Sequence, residues 1–84
     1  MSKIYLEVST PGNAKTYEFS ADSRMTAGRV KAQFIRQIEA VENFSLFENK
    51  DSVLFSCLDL EGLLQDEDIL GEVGVKSGSR IILL

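Results

Sequence analysis

The chain has 84 residues, enough for one small domain. Hydrophobic residues make up 44% of it and charged residues 26%, an ordinary globular balance with no apolar run near the roughly 20 residues that span a bilayer. A net charge of −4 disfavours nucleic acid and anionic lipid as partners, and the absence of histidine beside a lone cysteine, Cys57, excludes an internal disulfide, a Cys–His pair and a His-ligated metal.

KIYLEVST opens with strict alternation, Ile4, Leu6 and Val8 to one side and Tyr5 and Glu7 to the other, the pattern of a half-buried strand. Pro11 fixes φ, and Gly12-Asn13 tolerate φ > 0, so the chain turns there. KTYEFS resumes the alternation with Tyr17 and Phe19 inward, closing a β-hairpin. Lys15 and Glu18 on this second strand read as protection of an open sheet edge.

The period then changes. Ala27, Val30, Phe34, Ile38 and Val41 recur at three- and four-residue spacing, with Arg29, Gln33, Arg36 and Gln37 opposite, which predicts an amphipathic helix with one core-facing stripe. Thr26 is the natural N-cap. Gly28 weakens the first turn by about 1 kcal/mol relative to alanine, and Glu39 and Glu42 oppose the helix dipole at the far end. Residues 43–52, NFSLFENKDS, fit a helix extension, an extra hairpin or a loop pinned by Phe44, Leu46 and Phe47, and the choice stays open. From Val53 the run VLFSCLDL reads as a strand, followed by a Glu61-Gly62 turn and a short return over Leu63-Leu64. The acidic bend Gln65-Asp66-Glu67-Asp68 leads into a short turn holding Ile69, Leu70, Val73 and Val75, and a last strand carries Ile81 to Leu84.

The order ββαββ, with one helix across a mixed sheet and the last strand parallel to the first, is an α+β, β-grasp arrangement. Residues 58–84 resemble the C-terminal half of ubiquitin-like domains: a glycine turn, two apolar residues, an acidic bend, Leu70, then Gly74-Val75-x-x-Gly78-x-x-Ile81. Within that superfamily the chain is most similar to the YukD-like bacterial proteins associated with type VII (WXG100) secretion. The resemblance implies a cytoplasmic accessory component whose partners lie in the membrane-embedded secretion machinery or its ATPase.

The ubiquitin family is known for conjugation through a flexible Gly-Gly tail. No glycine follows Gly78 here, so conjugation or sulfur transfer is not expected. Catalysis is not expected either: the acidic bend reads as solvated, and Cys57 as a small core residue. No cofactor and no metal site is expected. Binding by surface remains. If Ile81 and Leu83 point to the helix, Ile82 and Leu84 emerge on the open sheet face, and an inward Cys57 sends Leu58 to join them. Leu58, Ile82 and Leu84 are therefore the candidate protein-binding residues; the competing reading is scattered exposure, with Leu84 frayed or packed on residues 43–52. Other readings are a ubiquitin-like adaptor outside secretion and, from a different class, a carrier or modifier protein.

Overall fold

A computed structural model describes residues 2–84 except Leu46, Glu48, Lys50, Asp51 and Glu61. The opening hairpin pairs β1 (Lys3–Thr10) with β2 (Lys15–Asp22) in unbroken antiparallel register, from Lys3 opposite Asp22 to Thr10 opposite Lys15. Alternation buries Leu6 and Val8 completely and leaves Lys3, Tyr5 and Glu7 exposed. The turn closes through the Asn13 amide to the Thr10 carbonyl, while the buried Thr10 hydroxyl donates to the Asn13 side chain. The left-handed residue of this turn is Ala14, at φ +56°, and Gly12 needs no such conformation.

Helix α1 (Ala27–Glu42) starts at Thr26, whose hydroxyl accepts from the Arg29 amide, and ends at Asn43 in the left-handed region. Its buried face holds Ala27, Val30, Phe34, Ile35 and Ile38, and also Lys31. Val41 does not belong to this stripe, contrary to the periodicity: it is 68% exposed. The last turn carries no buried residue, so periodicity there outlasts the core that gives it meaning. Of the segment that follows, Phe44 is exposed and Phe47 packs on the core; Leu46 and most of the expected Glu48–Asp51 turn lie outside the described residues.

The predicted strand over 53–60 is shorter than its sequence suggests. Strand β3 covers only Phe55–Cys57, and Leu58–Leu60 form a 3₁₀ turn. The reason is Asp59, whose carboxylate accepts from the Arg80 amide at 2.8 Å and the Arg80 guanidinium at 3.1 Å, occupying the place of a further ladder bond. Strand β4 (Gly62–Leu63) returns beside β3, α2 (Leu70–Val73) is a single turn, and β5 (Arg80–Leu83) closes the sheet. The order among the described residues is β2-β1-β5-β3-β4. Strand β5 runs parallel to β1 and antiparallel to β3. One core joins the inner sheet residues Leu6, Val8, Phe55, Cys57, Ile81 and Leu83 to Val30, Phe34 and Ile38 of the helix. This five-stranded mixed sheet with one main helix across it is the β-grasp fold.

The acidic bend is not free in solvent. The carbonyls of Asp68 and Asp66 accept the amides of Ala27 and Gly28 at 2.7 and 3.0 Å, satisfying donors that a helix N-terminus leaves unpaired. Lys31 Nζ donates to the Asp66 carboxylate and to the Val53 carbonyl, each at 3.1 Å. Gly28 is thereby explained: a Cβ there would lie 3.0 Å from the Asp66 Cβ and 3.1 Å from its carbonyl oxygen. Glu42, the unfavourable charge at the other helix end, also has a partner. Lys15 binds both its oxygens at 2.8 and 2.9 Å, and the Tyr17 hydroxyl donates to it at 2.6 Å. Lys15 is thus an anchor between hairpin and helix rather than a free edge-protecting charge.

Candidate protein-docking face

The sheet has one face under the helix and one face open, and pairing register decides which side chains share each. Residues directly opposite in neighbouring strands point the same way. Ile81 faces Val8 on one side and Cys57 on the other, and all three are buried. Their successors face outward: Ile82 lies opposite Ser9 and Ser56, and Ser56 lies opposite Leu63. Leu54 and Leu84 continue this row, joined by reciprocal backbone hydrogen bonds of 2.9 and 3.1 Å.

The result is a cluster on the open face. Leu54, Leu63 and Leu84 are 46%, 53% and 56% exposed, grouped about the half-buried Ile82. The small Ser56 sits between Ile82 and Leu63, and Ser9 flanks Ile82 on its other side, so no bulky side chain separates them. Backbone pairing places each leucine, which keeps its exposed apolar area at a fixed position.

Of the three residues singled out by sequence, Ile82 and Leu84 come together here. Leu58 does not join the strand ladder with them. Cys57 is inward, as expected, yet the chain enters the 3₁₀ turn at Leu58, at the Arg80 end of β5 and away from Leu84. Leu58 is exposed there beside the partly exposed Leu60. Leu54 and Leu63 are not among the residues that the sequence reading selects, although each carries a signal. With Cys57 inward, parity alone sends Leu54 and Ser56 out; Leu63 follows only once the return strand is placed opposite Ser56.

Near the Leu58 end of the face, Asp59 and Arg80 are paired with each other. Asp59 is held below the usual carboxylate range, first by the Arg80 amide and then by its guanidinium. Among the described residues no three potential metal ligands cluster, and no helix is long and apolar enough to cross a membrane.

Comparison with known proteins bears on the fold. No protein-family model matches the chain, and no curated protein matches it in sequence. Solved structures do match. The ubiquitin-like domain of tubulin-binding cofactor B superposes with a TM-score of 0.72 at 23% identity, covering 98% of this chain and 88% of that one. A ubiquitin-like domain from an Arabidopsis thaliana protein gives 0.72 at 22% identity, over 100% and 78%. Caldiarchaeum subterraneum ubiquitin gives 0.68 at 17% identity, over 96% and 90%. The chain therefore has the fold of ubiquitin-like domains.

Proposed function

We propose that this chain is a ubiquitin-like, non-enzymatic docking module that binds a protein partner through the open face of its sheet. The observation that carries this reading is the grouping of Leu54, Leu63 and Leu84 around Ile82 on a surface that the helix leaves uncovered. Exposed apolar residues scattered singly are ordinary, but residues brought together by sheet register from three strand regions form a contiguous patch. Such a patch, flat and apolar, suits the centre of a protein interface.

Its proposed setting is the cytoplasm, as an accessory or regulatory component of type VII secretion, with the membrane-embedded machinery or its ATPase as partner. Support for that setting is the YukD-like spacing from Leu70 to Val75 and the ending formed by Gly74-Val75, Gly78, Ile81 and Leu83. A crosslinked pull-down from the source cells tests both statements, comparing wild type with a Leu63→Glu, Leu84→Glu double variant. Recovery of secretion components by wild type and their loss with a folded variant is the expected result. Equal recovery removes the docking face, and recovery of an unrelated complex makes the chain an adaptor outside secretion. A covalent adduct through the C-terminus in intact-mass spectra would replace docking with a carrier or modifier role.

A further inference from the structure

We infer that the partner segment seated on the open face carries an apolar side chain next to a lysine or arginine. This rests on the docking reading above and adds the partner's charge. The patch does not end at the sheet. Leu54 and Leu63 also form one wall of a cleft of about 400 Å³ that runs toward the helix, with Leu64 and Phe55 deeper in. Its titratable lining, among the described residues, is Lys31, Asp66 and Glu67.

These three charges are not equally reachable. Lys31 is only 8% exposed, and its ammonium is already committed to the Val53 carbonyl and Asp66. The Asp66 side chain is 71% exposed, so this ion pair turns its carboxylate to solvent and hides its cation. Glu67 is exposed and, among the described residues, its side chain has no hydrogen-bond or ion-pair partner. The next guanidinium along the open face, Arg80, is occupied by Asp59. Among the described residues, an approaching partner therefore meets leucines bordered by two carboxylates, on a molecule whose net charge is −4. An acidic segment would pay desolvation and like-charge repulsion here, whereas a basic one gains at both carboxylates.

The probes are two short capped peptides, a leucine pair followed by an arginine pair and its twin with glutamates, titrated into the full isotope-labelled chain. The arginine peptide is expected to shift the Leu54, Leu63 and Glu67 amides, to bind about fivefold tighter than its twin at low salt, and to lose that margin at high salt. Glu67→Lys, at a position without bonds to lose, is expected to erase the preference while leaving the rest of the spectrum in place. Equal binding of both peptides at the leucines overturns the charge assignment and leaves the docking face standing. No shift at the leucines with either peptide overturns both, and arginine-peptide shifts confined to other surfaces overturn the assignment as well.

Discussion

The two faces of this sheet are built from nearly the same residues and do opposite things. Ile81, Leu83 and Phe55 lie beneath the helix and are almost wholly buried, while their immediate neighbours Ile82, Leu84 and Leu54 lie on the other side. Burial of a large apolar side chain is worth about 1.5–3 kcal/mol relative to exposure. The inner set thus holds the fold together, and the outer set leaves much of its apolar area uncovered, which is the area the proposed docking would use. Composition does not separate the two sets; strand parity does.

The sharpest break of this contrast is Phe34→Ala. Phe34 is fully buried under the sheet and packs on Phe19 with ring centroids 5.0 Å apart. Chemical denaturation should show a loss of about 3–5 kcal/mol. Next is Gly28→Ala, which raises helix propensity yet should destabilise by about 1 kcal/mol net, because Asp66 is pinned by Lys31 and cannot withdraw from the new methyl. Should the variant prove more stable, the acidic bend is less firmly seated than its hydrogen bonds indicate. Tyr17→Phe removes one donor from Glu42 and should cost about 1 kcal/mol in thermal or chemical unfolding.

The same contact has a pH signature. Glu42 is held below the ordinary carboxylate range by hydrogen bonds from Lys15 and then Tyr17. Its folded pKa is lower than its unfolded one, so its contribution is complete above the ordinary carboxylate range and disappears as pH falls through that range and below. Lys15 is shifted upward mainly by Glu42, so its share persists until pH rises past the ordinary lysine range. Wild type should therefore lose stability on acidification more steeply than Glu42→Gln, and added salt should narrow the difference. The smallest effect on stability belongs to the open face. Leu54→Ser and Leu63→Ser should each stay within about 0.5 kcal/mol of wild type, while abolishing binding of the partner. A large loss of stability in either variant would mean that the leucine supports the fold and that the two faces are not separate in role.

Much of this contrast was legible beforehand. Alternation in KIYLEVST and KTYEFS reports which side chains face inward because the strand repeat is two, whatever lies above. The inward assignment of Ile81 and Leu83 follows likewise. Legibility stopped where a neighbour distant in sequence intervenes. The run VLFSCLDL looks like one strand, yet Asp59 turns it at Leu58 by binding Arg80, 21 residues away. Val41 keeps the helical period but stays 68% exposed. Lys31, a charge that composition would place in water, is buried because Asp66 and the Val53 carbonyl meet it there.

Local periodicity and turn chemistry were enough to place the opening hairpin, the main helix, the closing strand and the inward side of each long strand. Which outward residues meet is a matter of long-range strand pairing. Leu54, Leu63 and Leu84 come from three separate stretches, and the β3–β5 and β3–β4 registers that bring them around Ile82 are set by pairing between distant segments. Leu58 stands apart because its strand ends one residue too soon. No local pattern contains that distance, and the grouping of the outward leucines depends on it.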